Sequence, residues 1–520
     1  MLQKANGVES LQDTSTWYTG HTKCQEMQGA AADVCRTGLR EDMQKAQFIG
    51  LMVDESIDVA IQKRLVITIK IVKDGQVQVL FGENVEVENG KAVTIVDAIR
   101  SFLVRHNVPL AKLIGLGTDG ASVMTGRVNG VHTVLQRLNP SLVTVWCCAH
   151  KLSLVCHYAA KSISSLERLQ ATLVSIYKYF KYSATRAAAL KKMKRIMKEQ
   201  VKRFKKPTSV RWLSLHDAVK AVHDSWGCLV MMLEQEAARN EGDTALTLGL
   251  LQQVKSYKFI GLIAMLRDVL DEITKCSLKF QEDEINIEAA STMLEATLES
   301  VGAMPEDPGK HLRDLNDSLR LKKKFQGIKF TASATQKQQV ISVLRSFVEN
   351  IQSESNKRFP EADMGIVKSL DKILNPKYVP ADKAARSDYG KDILDDLLEK
   401  FPFIDGQRAR SDYRHFKFLL KSHQKAGTKL IDMCSLVIRE HNDVFPDFAT
   451  LAEICMVIPL TSVPCERAFS VQNSIMSTNR SRMLPKHLNN KMLIVSNKRK
   501  RDLTDDAVME FAKTKRLKLK

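Results

Sequence analysis

The sequence predicts an α/β protein, a mixed sheet with helices against it, interrupted by a large all-helical insertion domain. Three observations carry this. Short β-branched runs crowd into residues 47–148, segments with helical spacing lie between them, and from about 150 to 445 strand signals nearly vanish while helical stripes continue. The chain has 520 residues, 44% hydrophobic and 26% charged, which is enough apolar material for a sizeable core.

Residues 1–46 are polar and mixed, without a strong period, and read as a leader or helical lead-in. "QFIGLMVDES" (47–56), "RLVITIKIV" (64–72) and "VQVLF" (77–81) then read as three strands, and "KDGQ" (73–76) as a tight turn between the last two. "TIVDAIRSFLVRH" (94–106) has helical spacing. It leads to the strand "KLIGLGTD" (112–119), a helix through "SVMTGRVNGVHTVLQRL" (122–138) and a strand "LVTVWCC" (142–148). The order is β-β-β-α-β-α-β. The expected helical domain, 161–445, holds stripes such as "SLERLQATLVSIYKYF" and "LIAMLRDVLDEITKCSLKF". Residues 446–497 return to apolar, Pro-punctuated helices, and 498–520 form a basic tail. No fixed-period repeat is visible.

Charge is the outlier: 78 Lys and Arg against 59 Asp and Glu, a formal +19. This favours a polyanionic partner, nucleic acid first and an acidic membrane surface second, over a merely solvated basic surface. No apolar run approaches the ~20 residues that cross a bilayer, so no membrane partner is expected. The ten cysteines are irregularly spaced with no Cys-x-x-Cys pair, which suits reduced thiols of the cytosol or nucleus.

Gly115-Leu116-Gly117-Thr118-Asp119-Gly120 satisfies a dinucleotide fingerprint to the letter. The physics excludes it. The first two glycines lie inside the expected strand, and a carboxylate stands where a pyrophosphate would sit. The next acidic residue after Asp119 is Glu167, far too late to bind a ribose. What remains is Asp119 at a strand end beside a small-residue turn, and Asp54 ending the first strand in "LMVDES". If the first and fourth strands are neighbours, the two carboxylates converge, and a divalent cation would relieve their repulsion; oxygen-only ligands favour Mg²⁺ or Mn²⁺. Each Asp alone also reads as a turn residue or helix N-cap.

The strand order with these two aspartates resembles the RNase H-like core of DDE transposases. "WCCAHKLSLV" (146–155), "SVRWLSLHDAV" (209–219) and "IPLTSVPCERAFSVQNSIMSTNRSRMLPKHLNNKMLIV" (458–495) narrow the resemblance to the hAT (hobo and Activator) superfamily, over about residues 47–497. The resemblance implies an acidic triad on Asp54, Asp119 and Glu466 that holds Mg²⁺ or Mn²⁺ and cleaves and transfers DNA strands. It further implies a homo-oligomer through the C-terminal region, a structural Cys147-x-x-His150 element, and a base-stacking role for Trp212. By position, Ser462 and Pro464 suit an N-cap and a first helical turn, so Glu466 would open a helix; a first-turn Glu favoured by the helix dipole is the plainer reading. A core-packed Trp212 is likewise the plainer reading of that residue. Cys148, Cys156 and His157 lie near the Cys-x-x-His element without zinc-finger spacing, so zinc is not expected. Residues 1–46 offer only His21, Cys24 and Cys35, not a complete BED-type finger.

From Lys178 to Arg211 there are thirteen Lys and Arg and one acid, Glu199, with Tyr177, Tyr179, Phe180, Tyr182 and Phe204 in or beside the run. Lys191, Lys192, Lys194, Arg195, Lys202, Arg203, Lys205, Lys206 and Arg211 are the candidate DNA contacts, in a groove where cations track phosphates and aromatics stack. A solvated amphipathic helix is the alternative. "NKRKR" (497–501) and "KTKRLKLK" (513–520) read as nuclear localisation or non-specific nucleic-acid contact. Three functions follow from the whole, the plainest being a helical interaction scaffold with no nucleic-acid partner. Another is a nuclear DNA-binding transposase-like enzyme; the last is a domesticated, catalytically silent DNA-binding and dimerising protein acting as a nuclear regulator or scaffold.

Overall fold

A computed structural model, which describes residues 21–58, 61–196, 204, 212–239, 244–360, 364–476, 483–497 and 504–514, turns the β-branched runs into one mixed sheet. β1 (Ile49–Ile57), β2 (Lys63–Lys73) and β3 (Gln76–Glu86) form an antiparallel meander. Asp74 and Gly75, at φ 52° and 72°, make the two-residue turn between β2 and β3. β4 (Leu113–Thr118) and β5 (Val143–Trp146) add in parallel beyond β1, giving the order β3-β2-β1-β4-β5.

One face of this sheet is covered by α1 (His21–Lys45), α2 (Ala92–Arg105) and, after the short α3 (Ser122–Thr125), α4 (Val131–Leu138). Leu51, Val53, Leu65, Ile67 and Ile69 meet Met43, Ile99, Phe102 and Leu135 there. The helix expected through 122–138 is therefore broken. Gly130 N–H closes a turn onto Gly126 O at 3.0 Å, and a Cβ on Gly130 would lie 2.4 Å from Gly126 N, so the chain folds back before α4 starts. The expected lead-in is also corrected: α1 belongs to the core, with Leu39 and Met43 on this face and Ala32 and Cys35 packed on the other.

Two compact units account for the chain. The first comprises described residues within 1–150, 281–289 and 361–520, the second those within 151–280 and 290–360. Helix α5 (Cys148–Lys161) leads into the second unit. Its helices are α6 (Ser164–Lys181), α7 (Ala184–Ile196), α8 (Trp212–Asp224), α9 (Trp226–Arg239), α10 (Thr244–Val254) and α11 (Tyr257–Lys279). They continue with α12 (Ile287–Ala303), whose residues up to Ala289 count with the first unit, α13 (Lys310–Lys322) and α14 (Ala334–Arg358), which opens with a Ser333–Gln336 capping box. A two-rung hairpin of β6 (Lys324–Phe325) and β7 (Ile328–Lys329) precedes α14.

The helical domain expected over 161–445 is thus divided differently. Helices α15 (Gly365–Leu374), α16 (Lys383–Asp388), α17 (Lys391–Lys400), α18 (Gly406–Gln424), α19 (Leu430–Glu440) and α20 (Pro446–Val457) lie in the unit that holds the sheet. Helical spacing shows that a segment is a helix; it does not show which core receives its apolar stripe. Here α20 carries that stripe onto β2 and β4.

The other face of the sheet takes α21 (Val463–Ile475) and α22 (Pro485–Asn497). Met52, Val66 and Phe81 meet Cys465, Phe469, Leu488 and Met492. Edge strand β3 is closed by α22: the Asn497 amide accepts Phe81 N–H at 3.2 Å and donates to Phe81 O at 3.1 Å. The basic tail expected over 498–520 also contains a helix, α23 (Thr504–Thr514), which buries Val508 and Phe511 and packs on α1. Among the described residues no helix is long and apolar enough to cross a membrane.

Candidate functional site

Side chains alternate along a strand, so Gly50, Met52 and Asp54 share one face of β1. The parallel register pairs Gly50 with Gly115 and Met52 with Gly117. Two residues further on, the same register arrives at Asp54 on β1 and at Asp119 just past the end of β4. Both carboxylates therefore stand at one end of the sheet, beyond a strip from which side chains are missing.

The strip is filled by backbone from far along the chain. A Cβ on Gly50 would lie 2.1 Å from Val457 O, one on Gly115 2.7 Å from Pro459 Cδ, and one on Gly117 3.0 Å from Pro459 Cγ. The glycines inside the expected strand thus admit the connection between α20 and α21. Polar groups pin that connection. Lys70 Nζ donates to Ile458 O at 3.3 Å, Cys148 N–H to Leu460 O at 3.0 Å, and Ser462 N–H to Cys147 Sγ at 3.2 Å. The buried Cys147 also lies 3.5 Å from the Thr461 hydroxyl, so it holds the approach to α21. His150 is half-buried, its ring 6.5 Å from the Trp146 ring.

The connection delivers Glu466 to the first turn of α21, exposed, with Pro464 in that turn. Ser462 precedes the helix, but its side chain makes no capping bond; the Thr461 hydroxyl instead accepts Val463 N–H at 3.2 Å. Next to Glu466, the Cys465 thiol donates to Met52 O at 3.2 Å, and burial together with the neighbouring Asp54 carboxylate pushes that thiol well up from its ordinary range. The residue preceding Glu466 is thereby fixed against β1, close to Asp54. Asp54 Oδ1 accepts Glu55 N–H at 2.9 Å, and Asp119 Oδ1 accepts Ala121 N–H at 3.2 Å, the turn work an Asp does at a strand end. Among the described residues no three His, Cys, Asp or Glu side chains gather into a group that could hold a metal ion. The register aligns the two aspartates, and Glu466 stands on the neighbouring helix without completing such a group.

Sequence reasoning missed what supports Asp119 from behind. Thr118 is fully buried and points to the opposite face, where its hydroxyl lies 2.8 Å from His132 Nε2 on α4. That hydroxyl donates to Asp119 O at 2.8 Å, so it accepts from His132, which fixes the proton on Nε2. Burial lowers the His132 pKa to about 4 and keeps the ring neutral. The only sequence signal was a His on the apolar stripe of an amphipathic helix. On the site side, a Cβ on Gly120 would lie 2.1 Å from the Trp146 ring, so this glycine makes room for an indole as well as for a turn.

In the second unit, Lys191, Lys192 and Arg195 are exposed on α7. Lys194 lies on the same helix, and Trp212 opens α8; the side chains of both fall outside the described residues, as do Lys202, Arg203, Lys205, Lys206 and Arg211. Three of the aromatics in the basic run belong to the core. Tyr179, Phe180 and Phe204 are buried, Tyr179 Oη lies 3.0 Å from the Thr247 hydroxyl, and the Phe180 and Phe204 rings are 5.2 Å apart. Tyr182 is 76% exposed, and Lys181 lies over both it and Tyr177. The periodicity held this answer, because Leu169, Leu173, Ile176 and Phe180 form one stripe of α6.

Two regions of the chain match family models. Residues 3–130 match the ZMYM1/FAM200 RNase-like domain, and residues 412–498 match the hAT family C-terminal dimerisation region. The first contains Asp54 and Asp119; the second contains the connection over the glycine strip, Glu466 and α22.

Proposed function

We propose that this chain, an hAT-type transposase or a protein derived from one, is a nuclear DNA-binding protein that cleaves and transfers DNA strands in a divalent-metal-dependent reaction. One observation carries the reading: the β1–β4 register sets Asp54 and Asp119 at one end of the sheet, on the face where α21 starts with Glu466. All three residues offer oxygen only, the donor type that Mg²⁺ or Mn²⁺ takes, although among the described residues they do not gather into a group of three. Held by these carboxylates, the metal would supply an activated oxygen nucleophile and charge stabilisation at the leaving oxygen. Asp119 is presented by the Thr118 bond to its carbonyl, and Glu466 by the pinned connection. Exposed Lys191, Lys192 and Arg195 hold the phosphate backbone, and Trp212 takes an unpaired base. The region matched over 412–498 forms a homo-oligomer.

A second reading, the catalytically silent DNA-binding and dimerising derivative, is favoured by the absence among the described residues of a metal-holding group of three. Purified protein incubated with nicked, hairpin and intact duplexes separates the two. The first reading expects nicking with Mg²⁺ or Mn²⁺ that disappears in Asp119→Ala. Duplex binding with no nicking in either metal gives the function to the second.

A further inference from the structure

The basic surface of the second unit does not end with α7. The stretch "RLKKKFQGIKF" (320–330) closes α13 and runs through the β6–β7 hairpin, in which Lys324 pairs with Lys329 and Phe325 with Ile328. Gln326 and Gly327, at φ 43° and 82°, form its two-residue turn. The Gln326 side chain anchors that turn: its amide oxygen accepts Gly227 N–H at 2.9 Å and its nitrogen donates to His223 O at 2.8 Å. A Cβ on Gly227 would lie 2.3 Å from Gln326 O, so this glycine lets the turn seat against the start of α9. Phe325 and Ile328 are buried, and the Phe325 ring lies 5.9 Å from the Trp226 ring. Side chains alternate along a strand, so Lys324 and Lys329 stand on the outer face, exposed and opposite each other. Lys322 and Lys323 are exposed beside them, Lys323 in the left-handed region at φ 50° where α13 ends.

Like charges directly opposite on a hairpin repel, and two strands of two residues have few bonds of their own to resist it. Among the described residues none of the four lysines forms an ion pair. Asp317, the acid that precedes them on α13, is taken by Arg320 at 3.1 Å. The buried face and the Gln326 bonds therefore hold in place a hairpin whose outer face is left with unneutralised positive charge. We propose that Lys322, Lys323, Lys324 and Lys329 are a second phosphate-binding surface of this unit, and that its partner is the backbone of duplex DNA. This role rests on the reading of the chain as a DNA-binding protein and adds a contact surface to it. Charge complementarity selects a polyanion, which relieves the repulsion between Lys324 and Lys329. Continuity selects the duplex, because α9 packs against both β7 and α7, where Lys191, Lys192 and Arg195 are exposed. Helix α9 has 14 residues and is about 21 Å long, and over that length a duplex carries roughly a dozen phosphates. One duplex is thus long enough to meet both elements. Lysines act as point charges and Phe325 is turned inward, so this surface takes backbone charge and does not read base sequence.

Fluorescence anisotropy of the full-length protein with labelled duplexes of unrelated sequence, titrated with salt, tests the surface. Lys322→Gln, Lys324→Gln and Lys329→Gln combined should weaken binding to every duplex alike and reduce the salt slope by about 3. Lys329→Glu separates binding from folding. It turns the repelling pair into an attracting one, so its melting temperature should equal or exceed that of the wild type while duplex binding weakens. A wild-type protein that binds no duplex even at low salt overturns the DNA-binding reading and the hairpin surface with it. Wild-type binding with an unchanged slope in the triple variant overturns the hairpin surface alone. So does weakened binding that comes with a lowered melting temperature in both variants, which marks the lysines as structural. A triple variant that loses binding to anionic phosphatidylserine vesicles and keeps its binding to duplex overturns it as well, in favour of a lipid surface.

Discussion

One face of the sheet is filled with side chains and the other is partly emptied of them. Toward α2 and α4 stand Ile67, Ile69 and Phe102, a dense aliphatic and aromatic core. Toward α21 stand Gly50, Gly115 and Gly117, crossed by backbone and bordered by Lys70, Thr68 and Cys465. An apolar face can yield at many small contacts, whereas a strip of missing side chains admits a backbone or does not. The carboxylates lie at the end of the second kind of surface, where a distant segment must be seated within tenths of an ångström.

Substitutions that fill the strip should show the largest difference. Gly50→Val or Gly115→Val meets the 457–459 backbone and should cost about 3 kcal/mol or more by urea denaturation. Ile67→Val on the packed face should cost about 1 kcal/mol. Equal costs would remove the distinction between the faces.

Next in size are two pH effects, one from each face. His132, lowered to about 4 from its ordinary 6.5, stays neutral in the fold while the unfolded chain takes up a proton. Stability should therefore fall as pH drops from 6.5 towards 4, by about 3 kcal/mol for this group, and His132→Gln should flatten that part of the profile. Lys70, lowered to about 8 from 10.5, releases its proton in the fold first. Between pH 8 and 10.5 stability should rise by about 3 kcal/mol from this group, a gain absent in Lys70→Met. Thermal melts across pH check both, and an unchanged slope in either variant would contradict its assignment.

The smallest effect belongs to the basic surface of α7. Removing Lys191 and Lys192 together should weaken duplex binding for all sequences alike and reduce the salt slope by about 2. An unchanged slope would make these lysines solvated surface only.

Much of the sheet was legible because strands announce themselves locally. "VDES" and "GTDG" marked Asp54 and Asp119 through their place at strand ends, and the glycines of β4 announced a thin strand. What fills that thinness was not legible, since Val457–Pro459 lies far along the chain and carries no local sign of its partner. The same limit moved α15–α20 from an expected helical domain into the unit of the sheet. That the helical lead-in, α1, belongs to the core escaped notice because its inward residues, Ala32, Cys35, Leu39 and Met43, stand among polar neighbours and include small side chains. For Glu466, position in a first helical turn was readable, while its distance from the aspartates depends on tertiary placement.

Metal-directed cleavage of the polypeptide tests the central claim most directly. Fe²⁺ with ascorbate and peroxide, added to the protein on DNA, cuts backbone beside a bound ion. Cuts are expected at the end of β1 near Asp54, at the turn after Asp119 and at the start of α21 near Glu466, suppressed by excess Mg²⁺ and absent in Asp119→Asn. Cuts confined to other segments, or none on the DNA-bound protein, would contradict a shared metal site on this face of the sheet.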